Sequence, residues 1–203
     1  MTPDSARDDL AFLRALVDQP ESGFQRGFSQ TYAAAGGCYG AQMLLHVAQY
    51  YLGWFQTPVS ALLVGLLPTV VFVLMLVVIL RRNRLRGAST VSRAVGAAFS
   101  AVGVANLVLI VAIGSLALRE KSLTIWLLYP TTVIILQGAA WLVAFMLRRR
   151  PWMGWLAAGW FATGVGMALS IETQGVFILV LGLSFFAFML APGLFLMRQN
   201  RAA

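Results

Sequence analysis

Acidic residues are scarce in this sequence. Seven carboxylates serve the whole chain, and between Glu21 and Arg198 only Glu120 and Glu172 occur. There is one histidine, His46, and one cysteine, Cys38. A lone cysteine excludes an internal disulfide and an all-protein thiolate metal site. One histidine cannot supply both axial ligands of a membrane b-type haem, and no cluster of Cys, His, Asp and Glu has metal-ligand spacing. No phosphate-binding loop is present, which argues against an ATP-driven machine. Neither a metal nor a cofactor is expected. Ion-coupled transporters usually keep carboxylates or broken helices near their midplane. Both acids here lie at the ends of apolar runs, which weakens that class too.

What fills the chain instead is apolar. Of 203 residues, 60% are hydrophobic and only 11% charged, with a mean hydropathy of +0.80. Soluble domains fall outside that range. The charges are clustered and leave runs of roughly 20 apolar residues, about what a helix needs to cross hydrocarbon. The sequence therefore predicts an all-α, polytopic membrane bundle of six transmembrane helices, at about 31–55, 58–80, 94–118, 125–147, 151–171 and 175–197. Residues 1–30 form a cytoplasmic amphipathic helix with an interfacial lead-in, residues 31–197 the membrane domain, and residues 198–203 a cytoplasmic tail.

The net charge of +8 does not indicate nucleic acid. Basic residues that bind nucleic acid line one soluble face, whereas these sit in short clusters between apolar spans. Arg7, Arg14 and Arg26 precede the first span, and five arginines fall in "RRNRLRGASTVSR" (81–93). Three more make "RRR" at 148–150, and Arg198 and Arg201 follow the last span. Thirteen basic residues thus lie on one side, against Arg119 and Lys121 on the other. The positive-inside rule places both termini in the cytoplasm. Arg81, Arg82, Arg84, Arg86, Arg148, Arg149 and Arg150 are candidate contacts for anionic lipid headgroups, at about 1 kcal/mol per basic residue. Fourteen of the fifteen basic residues are arginine, a bias that goes with GC-rich bacterial genomes and so with a bacterial inner membrane.

The N-terminal "TPDSARDDLAFLRALVDQPES" reads as the one soluble-type element. Ser5 with Asp8 makes a capping box, and Leu10, Leu13, Leu16 and Val17 recur at helical spacing. Its polar face carries Asp8, Asp9 and Asp18, whereas helices that lie on anionic lipid carry basic faces. Residues 4–18 are expected to dock on protein, either the chain's own basic loops or a partner. The segment has no basic start or apolar core of a cleavable signal. The "GFQRGFSQTY" that follows, with Phe24, Phe28 and Tyr32 at every fourth position, reads as an interfacial lead-in.

The first span carries the most informative pattern. In "GGCYGAQMLLHVAQYYLGWF", Gln42, His46 and Gln49 fall within roughly 60° of one another around the helix. Lipid cannot satisfy such groups, so the stripe should face other helices. Asn106 and Gln137 lie near the centres of the third and fourth spans. Pro68 interrupts the second and leaves the Val64 carbonyl without its helical donor. A midplane cluster of His46, Asn106, Gln137 and that opened backbone is one expectation. The other is interhelical adhesion, helped by Gly36 with Gly40 and by Ala33, Gly37 and Ala41, which let backbones approach. Ser184 is the only serine at a depth comparable to His46, but Phe185 follows it where the Gly-x-Ser-Gly pattern of rhomboid-type intramembrane proteases requires glycine. The pattern points to a non-enzymatic accessory, assembly or regulatory membrane protein acting through protein or lipid contacts. The alternative is a small transporter, channel or binder of a neutral or amphipathic ligand.

Overall fold

Four helix starts in this chain are set by short polar side chains or by proline. The computed structural model describes residues 22–83 and 89–202. Helix α1 runs Ser22–Leu52, α2 Pro58–Arg82, α3 Thr90–Glu120, α4 Leu123–Arg148 and α5 Pro151–Leu169. Helix α6, Gln174–Phe185, passes through a π turn, Phe186–Leu190, directly into α7, Ala191–Ala202. Thr57, Ser89 and Ser122 each accept a backbone N–H from the residue three further on, capping α2, α3 and α4. Pro58 and Pro151 occupy first-turn positions of α2 and α5, where a missing N–H costs nothing.

Four of these helices are long and apolar enough to cross a membrane: α2, α3, α4 and the α6–π–α7 rod. The expected amphipathic helix at 4–18 lies outside the described residues. Two boundaries differ from those read in the sequence. Helix α1 begins at Ser22, so residues 22–30 are continuous with the helix over 31–52 instead of a separate lead-in. Helix α4 begins at Leu123 under its Ser122 cap, which puts Pro130 inside the helix, not near its start.

Neighbouring helices pack antiparallel in constant register. Ala33 of α1 lies against Gly193, Gly36 against Met189 and Leu190, Gly40 against the Phe186 ring, and Met43 against Gly182. At the far end Tyr50 and Tyr51 meet Gly175. Each step forward along α1 is matched by an equal step back along α7, the π turn and α6. Residues 33–51 thus run beside the rod for roughly 27 Å at 1.5 Å per residue. The same matching joins α4 to α5, through Ile135 with Gly164, Gly138 with Phe161 and Phe145 with Gly154. Helix α2 packs on α1, and α3 on α4. In contact order the helices run α2, α1, α6–α7, α5, α4, α3, with α2 and α3 at the ends.

The π turn has a local cause. Pro192 has no N–H to give the Phe188 carbonyl, and its ring crowds that carbonyl. The backbone widens by one residue, and the Ala191 N–H reaches the carbonyl of Phe186. This widened turn is the surface that Gly36 and Gly40 meet, and no larger residue fits at Gly36. A Cβ there would lie 2.8 Å from the Leu190 Cα.

Candidate functional site

The polar stripe of α1 divides its hydrogen bonds between two neighbours. Gln42 Nε2 donates to the Gly65 carbonyl of α2 at 3.0 Å. That carbonyl is one residue beyond Val64, whose donor Pro68 removes, and it has no side chain to shield it. Nearer the end of the helix, His46 Nδ1 and Gln49 Oε1 are 2.7 Å apart. Gln49 Nε2 then donates to the Phe55 carbonyl at 3.2 Å, and Gln56 Nε2 donates to the Gln49 carbonyl at 2.8 Å. These bonds clamp the turn into α2, where Gly53 and Phe55 both take positive φ, 68° and 55°. Glycine adopts that conformation freely, while Phe55 needs the surrounding bonds to hold it.

The other two members of the expected cluster go elsewhere. Tyr129 Oη donates to Asn106 Oδ1 at 2.6 Å, tying α3 to α4. The Tyr129 ring stacks on Trp126, with centroids 5.2 Å apart. Gln137 stands in α4 with its Oε1 buried and without a hydrogen-bond partner. The structure therefore joins His46 to Gln49 and sends Gln42 to α2. No hydrogen bond links His46, Asn106 and Gln137 to one another. Thr163 and Ser184 turn back onto their own helices, donating to the carbonyls of Gly159 and Leu181. Ser184 does not meet His46, which bonds Gln49 instead.

The basic residues also separate into kinds. Arg81, Arg82, Arg149 and Arg150 are exposed, and Arg84 and Arg86 lie outside the described residues. Arg148 is half-buried and donates to Ser92 Oγ at 2.6 Å. It joins the last turn of α4 to the first turn of α3, where a cation also suits the negative end of the α4 dipole.

The most buried polar arrangement is one that the sequence reading did not assemble. Tyr32 Oη accepts from Trp141 Nε1 at 2.5 Å and from Trp160 Nε1 at 3.2 Å. Tyr32 is 4% exposed, Trp141 1% and Trp160 0%. Phe28 stacks on Tyr32 with centroids 5.5 Å apart, and Phe99 and Trp152 pack edge-on against Trp141. One phenol thus joins α1 to α4 and α5, while Phe28 carries the contact to α3 through Phe99. A signal for it exists in the sequence. Trp141 and Trp160 lie away from the ends of the apolar runs expected at 125–147 and 151–171, and a buried indole N–H needs an acceptor.

Chemically the described groups are neutral donors and acceptors, most of them paired. Among the described residues no group of three or more His, Cys, Asp or Glu side chains could hold a metal ion. No protein-family model matches the chain, and no curated protein or solved structure matches it.

Proposed function

We propose that this chain is a six-span protein of a bacterial inner membrane, with both termini in the cytoplasm. Its role is that of an accessory, assembly or regulatory protein acting through protein and lipid contacts. The observation that carries the span count is the register of α1. Over residues 33–51 it runs antiparallel beside the α6–π–α7 rod, which is itself long and apolar enough to cross. Roughly 27 Å of shared length approaches the hydrocarbon thickness of about 30 Å. A helix held in that register crosses with its neighbour. Helix α5 is held in the same manner between α4 and α6, and the arginine tally orients the whole.

The contact role is supported by how the polar groups are used. Gln42, Asn106 and Tyr32 bond from one helix to another, and His46 and Gln49 hold a turn. Such bonds contribute about 0.6–2 kcal/mol each to a membrane bundle. One observation favours the second reading, a binder of a neutral or amphipathic ligand. The buried Gln137 Oε1 has no partner, and a ligand donor could fill that place.

The test is a tagged purification at native expression level in mild detergent, with mass spectrometry of the intact complex. The account expects one stoichiometric protein partner, lost when residues 1–20 are deleted. A chain that emerges alone with a bound small molecule, released when Gln137 is changed to leucine, would establish the second reading instead.

A further inference from the structure

We propose that a groove between α5 and α7 holds one acyl chain of an anionic phospholipid, with the lipid's phosphate at Arg149, Arg150 and Arg198. The groove is a largely open depression of about 280 Å³, lined by Trp152, Leu156, Ala187, Ala191, Pro192 and Phe195. Ala187 and Ala191 lie on one face of the rod, one turn apart across the π turn, and both are exposed. With only methyl side chains, they line the groove together with the larger Trp152 and Phe195. The widened turn forced by Pro192 shapes this lining, so the groove follows from the same proline that lets α1 pack on the opposite side.

Its lining is apolar apart from the Trp152 indole N–H, which excludes a polar solute. Its volume is too small for a helix. About 280 Å³ suits a stretch of one acyl chain, whereas a helix with its side chains is about 10–12 Å across and fills several times that volume. Charge then selects among lipids. Arg149 and Arg150 directly precede Pro151 and Trp152, and Arg198 lies one turn beyond Phe195. All three arginines are exposed at the same end of the groove. The two carboxylates of the described residues, Glu120 at the end of α3 and Glu172 just before α6, are at the opposite end of the bundle, so among the described residues no carboxylate stands beside these arginines. A chain in the groove and a phosphate among these arginines are the two ends of one molecule.

The inference deepens the reading above and rests only on the chain lying in a bilayer. The protein is purified in mild detergent, mixed with equal amounts of phosphatidylglycerol and phosphatidylcholine of the same acyl chains, and examined by native mass spectrometry. One retained phosphatidylglycerol is expected, preferred over phosphatidylcholine by at least about fivefold, the effect of a single basic residue near the lipid phosphate. Ala191→Phe, which fills the groove, should lose the retained lipid, and Ala187→Phe should do the same from the next turn. Arg150→Gln with Arg198→Gln should keep a lipid but lose the preference. Equal retention of both lipids by the wild-type protein, or unchanged retention in two correctly melting phenylalanine variants, would overturn the proposal. So would a polypeptide found in place of the lipid. A chain that stays soluble without detergent would instead defeat the membrane reading itself.

Discussion

At the scale of single residues, the strongest claim concerns Tyr32. Its hydroxyl oxygen accepts two indole N–H groups at a place water cannot reach. Removing it leaves both donors without an acceptor, at about 1–3 kcal/mol for each buried group. Tyr32→Phe should therefore destabilise the folded protein by about 2–4 kcal/mol, read as an earlier midpoint in a denaturing-detergent titration. An unchanged midpoint would mean that the indoles have found other acceptors. The sequence shows the stripe of Phe24, Phe28 and Tyr32 plainly but not its destination. Aromatic residues at the end of a span favour the interface, and that general preference pointed outward. What overrides it is the position of Trp141 and Trp160, three and four helices further along the chain, whose N–H groups the Tyr32 hydroxyl accepts.

At the scale of helices, the close approach of α1 to the widened turn decides the packing. Gly36→Ala would set a methyl 2.8 Å from the Leu190 Cα. Backbone cannot yield there as a side-chain tip could, so a loss of about 1–3 kcal/mol is expected. Gly103 of α3 is the control, since a methyl built there meets nothing within 4 Å. Gly103→Ala should leave stability unchanged or raise it by up to about 1 kcal/mol, through helix propensity alone. Thermal melts of the two variants in one detergent separate these outcomes. Equal melting temperatures would contradict the assigned contact. The four-residue repeat of Gly36 and Gly40 was legible as a packing face, because small residues at that spacing have few other uses. Its partner was not legible. The π turn depends on Pro192, whose effect falls on the turn before it, and nothing in a single sequence says which helix such a bulge will face.

Over the whole molecule, composition and charge pattern were enough to read an all-helical chain with several membrane-length apolar helices. Four helices are long and apolar enough to cross; α1 and α5 are not among them, because they carry the glycines, polar side chains and tryptophans that make their contacts. Those same residues lower their apolar character, so the crossing of α1 and α5 is the part of the proposed six-span account that rests on packing register and not on hydropathy. The convergence of His46, Asn106 and Gln137 was the part that spacing could not decide. Each side chain has an inward choice of several neighbours, and Gln49 and Tyr129 are the ones that His46 and Asn106 meet. The measurement that tests the six-span account most directly is cysteine accessibility in intact spheroplasts. Cys38 is first replaced by alanine, and single cysteines are placed at Gln56, Lys121, Thr173, Arg149 and Ala203. A membrane-impermeant maleimide should label the first three from outside, and the last two only after the membrane is opened. Protection of Gln56 or Thr173 in intact spheroplasts would mean that α1 or α5 does not cross, and would contradict the account.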